Sequence, residues 1–352
     1  MGYILSTEGF DKLIRNLSED YRVFAPVLLE GTGRFFGTDV VRYQYVTDAA
    51  SIDLEHRSDY SYKDVLLPIS KTLFYFTEDH VTEPKMDERK ILVFLRACDL
   101  HALKRFDAMF LQNGSQADWF YDQVRERLTF ALIGCPHSFE DCFCVSMGAN
   151  EAKDGWAFSV EVSASDSEPD ETLIRSALAD PSFAKYFEGG TLRVEDVVPS
   201  HVSADSEEVH VPDEVPEEII TSDLWNEYNA RCIACGRCTL VCPTCTCWTM
   251  EDISYSDNGK VGERRRVQAS CMIDGYTNAA GGIMYRGSKA ERMRFKVLHK
   301  ISDFKKRFGY NMCVGCGRCD AVCPEYISFS SCINKVSDAV VALNQKKEDA
   351  KS

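Results

Sequence analysis

The sequence predicts an α/β N-terminal domain followed by a mainly α-helical C-terminal domain. Three observations carry the prediction. Short apolar β runs, flanked by helical patterns, lie in the first half of the 352 residues. A cysteine run of fixed spacing occurs twice in the second half. Between the halves the charge balance reverses: residues 1–223 hold 20 basic and 42 acidic side chains, and residues 224–352 hold 20 basic and 13 acidic, for a net of −15.

In the first half, 90–95 (Lys-Ile-Leu-Val-Phe-Leu) and 128–133 (Leu-Thr-Phe-Ala-Leu-Ile) read as central strands, because they are continuously apolar rather than alternating. Residues 99–110 and 117–127 read as helices. Residues 156–162 alternate as an exposed-edge strand would, and 170–179 read as a helix. From 200 to 223 the chain has eight acids, no Lys or Arg, and Pro212 and Pro216. That composition predicts a solvated linker. The domains are thus expected at 1–199 and 224–340, with a polar tail at 341–352. Past the linker, Met293, Val297, Ile301, Phe304 and Phe308 fall on one helical face. Arg292, Lys296, Lys300, Lys305 and Lys306 lie largely elsewhere and are expected to be solvated.

The repeated runs are Cys232-Ile-Ala-Cys235-Gly-Arg-Cys238-Thr-Leu-Val-Cys242-Pro243 and Cys313-Val-Gly-Cys316-Gly-Arg-Cys319-Asp-Ala-Val-Cys323-Pro324. Each has the spacing that holds a cubane iron–sulfur cluster, with three thiolates on one cluster and the fourth, before proline, on the other. The expected ligands are therefore crossed. Cys232, Cys235, Cys238 and Cys323 hold one 4Fe-4S cluster, and Cys242, Cys313, Cys316 and Cys319 hold the second. Gly236 and Gly317 are expected beside the clusters, where a missing Cβ lets backbone N–H groups approach sulfur. Arg237 and Arg318 are expected to be solvated. The rival reading is a pair of four-ligand structural zinc sites. The runs start 81 residues apart, at Cys232 and Cys313. A helical two-cluster ferredoxin-type domain with a long insertion fits that separation better than a compact repeat.

A second cysteine set lies in the first half. Cys98 and Cys135 follow the two central strands, at the edge where α/β folds place ligands. Cys142 and Cys144 come soon after. The four are expected to hold a third 4Fe-4S cluster, with zinc or unligated thiols as alternatives. His137 and His101 read as ordinary polar residues. Cys245 and Cys247 either line a cluster or are small buried hydrophobes, and Cys271 and Cys332 receive no role.

Sixteen cysteines without a visible export signal predict a reducing, cytoplasmic setting. The start Met1-Gly2 fits the loose myristoylation pattern, which is read as chance because no second anchor follows. No stretch is long enough to span a bilayer, and the acidic balance gives no reason to expect nucleic acid. The Gly31, Gly33 and Gly37 spacing is one residue too long for a dinucleotide fingerprint. No flavin, nicotinamide or haem site is expected on this chain, so an electron carrier here needs partner subunits.

These features resemble a known family: the iron–sulfur electron-transfer subunits of anaerobic sulfite reductases. The resemblance rests on residues 64–71 (Asp-Val-Leu-Leu-Pro-Ile-Ser-Lys), 96–101 (Arg-Ala-Cys-Asp-Leu-His), 134–148, 232–248, 270–282 and the second cysteine run, and covers nearly the full chain. The beta subunit of cytosolic nickel–iron hydrogenases (sulfhydrogenases) shares this family shape. The resemblance implies a cytoplasmic three-subunit enzyme. A flavin subunit would oxidise NADH, this chain would relay electrons, and a sirohaem subunit would reduce sulfite to sulfide. Two alternatives stand beside it: a hydrogenase beta subunit and a zinc-stabilised interaction protein.

Overall fold

The computed structural model describes residues 2–164 and 172–350. The chain forms two compact units: residues 2–137, 151–202 and 249–268 make the first, and residues 138–150, 203–248 and 269–350 the second.

The first unit is built on an eight-stranded mixed sheet in the order Thr191–Glu195, Gly2–Ser6, Thr172–Ala177, Phe158–Ala164, Leu128–Ile133, Lys90–Arg96, Tyr21–Leu29, Val40–Val46. The strands at 158, 128, 90 and 21 run parallel to their neighbours in that group. Lys90–Arg96 is buried at every residue after Lys90, as its continuous apolar run requires. Its register with Leu128–Ile133 sets Arg96 opposite Ile133. The Arg96 guanidinium donates to the carbonyls of Gly134 (2.8 Å) and Leu54 (2.8 Å), tying the carboxyl ends of these strands together. Helices Ala97–Leu111 and Trp119–Arg125 follow the expected positions. Phe94, Phe158 and Phe187 meet edge-to-face in the core.

Two expectations fail here. Phe158–Ala164 is an interior strand, paired on both sides, and Phe158 and Val160 are fully buried. The polar positions that imitate a solvent-facing alternation are satisfied internally. Ser159 Oγ accepts from Ala177 N–H (2.9 Å), and Glu161 accepts from Ser200 N–H (2.9 Å) and Ser200 Oγ (2.6 Å). The expected helix at 170–179 is instead the strand Thr172–Ala177, its positions 170 and 171 lying outside the described residues. Ladders on both flanks, to Gly2–Ser6 and Phe158–Ala164, override its local preference.

A four-stranded antiparallel sheet completes this unit: Trp248–Ser254, Gly262–Gln268, Ser70–Phe76 and Val81–Thr82. Part of the expected insertion between the cysteine runs is therefore a hairpin in the first unit.

The second unit is helical. Ser288 and Glu291 form a capping box that starts Lys289–Leu298. A π-helical turn, His299–Asp303, and a last segment, Phe304–Phe308, follow, and Gly309 at φ +86° ends the run. Trp225, Tyr228, Met293, Val297, Ile301, Phe329, Ile333 and Val336 form its core. The helix Phe329–Asp349 takes up most of the expected tail.

The acidic stretch does not run as a solvated linker. Val209, Val215 and Ile219 are buried in this core. Lys305 Nζ donates to Asp213 O (3.0 Å), Asn334 Nδ2 to Glu208 O (2.9 Å) and Arg294 to Ile220 O (3.0 Å), and Lys347 pairs with Glu218 (2.7 Å). Apolar residues spaced between the acids, and cations on the helices they cross, hold the segment down. Among the described residues no helix is long and apolar enough to cross a membrane.

Candidate metal centres

The two cysteine runs fold alike, residue for residue. Ala234 and Gly315 occupy equivalent left-handed positions, at φ +58° and +66°. Each turns its own N–H onto the first thiol of its run: Ala234 N–H to Cys232 Sγ (3.4 Å) and Gly315 N–H to Cys313 Sγ (3.5 Å). Gly236 and Gly317 follow, also left-handed, and cap the short helices Arg237–Leu240 and Arg318–Ala321. The glycines are thus required first by backbone conformation. At Gly236 there is also a packing reason, since a Cβ would lie 3.0 Å from Ile273.

The tertiary structure gathers the cysteines across the runs. Cys232, Cys235 and Cys238 line one cavity together with Cys323, and Lys296, Met272 and Met293 close it. Cys319 also reaches this cavity. The second group is Cys313 with Cys242, Cys316 and Cys319: Cys242 and Cys316 both act on the charge of Cys313, and Cys242 and Cys313 on that of Cys319. Burial pushes the Cys313 thiol up to about 12, and raises Cys238 and Cys319 as well. A thiolate at these positions needs a cation beside it.

Two cations are present. Lys296 and Lys300, one helical turn apart, are each only 5% exposed. Burial works against both charges, yet both stay firmly protonated. Cys238, Cys319, Cys332 and the Asp320 carboxylate act on Lys296, and Cys242, Cys245 and Cys313 on Lys300. Lys300 Nζ donates to Thr244 Oγ1 (2.7 Å), which lies 3.3 Å from Cys242 Sγ. Lys296 Nζ sits 4.6 Å from the centre of the Phe329 ring. Neither lysine forms an ion pair with a carboxylate among the described residues. The expected solvated basic face is thus inside the unit at Arg292, Lys296 and Lys300, because this helix is buried on nearly every side. Arg318, also expected in solvent, is 2% exposed, while Arg237 is exposed as expected.

These donor sets fit iron–sulfur clusters. Each has soft sulfur ligands, backbone N–H groups on sulfur, and a buried positive charge to balance an anionic cluster. A zinc site would draw its donors to about 2.3 Å from one ion. Among the described residues no group of three or more His, Cys, Asp or Glu is arranged to hold a single ion.

The second cysteine set is divided. Cys98 stands in the first turn of Ala97–Leu111, and Cys135 lies just past Leu128–Ile133, at adjacent parallel strand ends of the first unit. Cys135 Sγ donates to His137 O (3.6 Å), and His101 Nε2 contacts Glu151 O (2.8 Å). Cys142 and Cys144 belong to the second unit and are buried. There Cys142 Sγ donates to Cys316 O (3.6 Å) and Phe143 N–H to Gly315 O (2.8 Å). A Cβ on Gly315 would lie 2.2 Å from Phe143 O, so this glycine admits the loop beside the second run.

Sequence reasoning missed Lys296, Lys300, Thr244 and Gly315. The signal for the lysines was faint: two cations at i and i+4 on the helix leading into a cysteine run.

Residues 231–327 match the family model described as a 4Fe-4S dicluster domain. The chain is similar to sulfhydrogenase 2 subunit beta of Pyrococcus furiosus, at 27% identity over 361 residues, covering 97% of this chain and all of that one. The protein therefore pairs a mixed α/β N-terminal region with a helical, ferredoxin-type 4Fe-4S domain.

Proposed function

We propose that this chain is the iron–sulfur electron-relay subunit of a multi-subunit oxidoreductase. The observation that carries the reading is the crossed gathering of two thiol groups around buried Lys296 and Lys300. Cys232, Cys235, Cys238 and Cys323 would hold one 4Fe-4S cluster, and Cys242, Cys313, Cys316 and Cys319 the other. When bound, a cubane at each site supplies uptake and release of single electrons. The chain's residues do the rest. The thiolates fix position, the N–H groups of Ala234 and Gly315 temper the sulfur charge, Met272 and Met293 exclude water, and the buried lysines stabilise negative charge. A third 4Fe-4S cluster on Cys98, Cys135, Cys142 and Cys144 stands on the sequence alone.

Two assemblies compete for this subunit. Sulfite reduction would place it between an NADH-oxidising flavin subunit and a sirohaem subunit. A hydrogenase would pair it with a nickel–iron subunit. The full-length similarity to a sulfhydrogenase beta subunit favours the second. Anaerobic co-purification with the native partners tests the choice. Nickel in the complex supports the hydrogenase assembly, and sirohaem replaces it with sulfite reductase. Stoichiometric zinc without acid-labile sulfide would end the relay proposal altogether.

A further inference from the structure

Thr244 stands two residues past Cys242 and is 1% exposed. Its Oγ1 lies 2.7 Å from Lys300 Nζ and 3.3 Å from Cys242 Sγ. Among the described residues its hydroxyl has no other hydrogen-bond partner. The direction of both bonds follows from the donors available. A lysine ammonium has three donors and no acceptor, so Thr244 accepts from Lys300. The one hydroxyl proton is then left for the Cys242 sulfur. A thiolate has no proton to give, so this bond runs one way once Cys242 acts as a ligand. Lys300 is fixed for the contact by its own backbone. Its carbonyl accepts the N–H groups of Met312 (2.9 Å) and Cys313 (3.2 Å). One residue thus grips the start of the second run with its backbone and reaches the end of the first run with its side chain. It does so from the π-helical turn His299–Asp303, a rare conformation that is frequent at functional sites. The two runs differ at this point. Glu325 holds the place of Thr244 after Cys323, and it is exposed. Cys323 Sγ accepts from Ile327 N–H instead, at 3.4 Å.

We propose that Thr244 is a positioning residue for one cluster site and not for the other: its hydroxyl, oriented by Lys300, donates to the Cys242 sulfur and raises the potential of the cluster held by Cys242, Cys313, Cys316 and Cys319. The proposal deepens the relay reading and rests on it. A hydrogen bond to a ligand sulfur draws electron density from that sulfur and favours the reduced, more negative form. The ammonium polarises the hydroxyl and strengthens its donation. Thr244 thus joins the Lys300 charge to the Cys242 sulfur through a chain of two hydrogen bonds. Cys323, with a backbone N–H and no hydroxyl after its proline, has no such link.

The test uses the full chain with iron and sulfide loaded, in an anaerobic redox titration followed by electron paramagnetic resonance, which reads the two clusters separately. Thr244→Val keeps the side-chain shape and removes the hydroxyl. It should retain full iron and lower the midpoint potential of the Cys242 cluster. The expected shift is about a tenfold change in the reduced-to-oxidised ratio, or about 59 mV for one electron. The other cluster should keep its potential. Thr244→Ser, which keeps the hydroxyl, should titrate as the wild type does. In a Lys300→Met background the Thr244→Val change should shift the potential less, because the hydroxyl has already lost the group that orients it. Three results would overturn the role: an unchanged potential in Thr244→Val, equal shifts at both clusters, or the same shift with and without Lys300. If Thr244→Val loses iron, Thr244→Ser decides. Full iron at the native potential then supports the hydroxyl, whereas lost iron or a shifted potential makes Thr244 a packing residue and overturns the role. A wild-type chain that takes up no iron fails the relay reading itself, and this role falls with it.

Discussion

A buried lysine without an ion-paired carboxylate is expensive, because desolvation penalises the ammonium and no direct counter-charge offsets it. Lys296 and Lys300 carry that burden twice on adjacent turns of one helix, facing sulfur. Anionic sulfurs supply counter-charge to Lys300, and to Lys296 together with Asp320. Lys300→Met should therefore lower the midpoint potential of the cluster at the Cys242 group, on the order of 40–170 mV, since a unit charge at an effective dielectric of about 20 is worth about 1–4 kcal/mol. Lys305→Met, which breaks only the contact with Asp213, should leave it unchanged. Spectroelectrochemical titration of both variants checks this, and equal shifts would refute the role given to Lys300. The crossed ligand sets make a second residue-level prediction. Cys323→Ser should alter the electron paramagnetic resonance signal of the cluster on Cys232, Cys235 and Cys238, although it lies in the other run. A change confined to the other cluster would show that the ligands are not exchanged.

At the scale of elements, left-handed residues shape both loops, but their neighbours differ. Gly315 at φ +66° would bring a Cβ to 2.2 Å from the backbone of Phe143, while Gly309 at φ +86° meets nothing within 4 Å. Gly309→Ala should cost about 1 kcal/mol of conformational strain. Gly315→Ala adds a backbone clash and should cost roughly 3 kcal/mol or more. Urea denaturation of the two variants measures the difference, and equal losses would remove the packing role of Gly315. The π-helical turn carries a titrating residue, His299, stacked on Phe295 at 5.3 Å. Burial, then Lys300 and Arg286, lowers its pKa to about 4. The unfolded chain thus binds the proton first as pH falls below about 6.5, so stability drops with pH through that window. Between pH 6.5 and 5 the loss from this group should approach 2 kcal/mol. His299→Gln should flatten that limb of the stability curve, and an unchanged slope would exclude His299 as its source.

For the whole molecule, the charge imbalance has a structural meaning that composition hides. The acid-rich stretch at 200–223 and the basic C-terminal helices bind each other, through Lys305 to Asp213, Lys347 to Glu218 and Asn334 to Glu208. Two carboxylates of that stretch, Asp213 and Glu218, thus meet lysines inside the second unit. The number of clusters is also a property of the entire chain. Iron and acid-labile sulfide assays on anaerobically prepared protein should give about twelve irons per chain if Cys98, Cys135, Cys142 and Cys144 hold a third cubane, and about eight if only the repeated runs are loaded. The lower figure would withdraw the third cluster and leave the other two.

The sequence alone determined the cysteine repeat, the two central strands and the helical second half, because each is written in local spacing: two residues between thiols, unbroken apolar runs, apolar faces at helical period. The cysteine spacing of the candidate site was legible for the same reason, whereas the N–H groups that reach sulfur are those of Ala234 and Gly315 and not those expected at Gly236 and Gly317. Tertiary structure decided what local spacing cannot encode. Thr172–Ala177 became a strand because partners on both sides completed its hydrogen bonds. Lys296 and Lys300 went inside because thiols from distant segments surround them. In each case the deciding energy comes from groups far apart in the chain, whose contact exists only after folding.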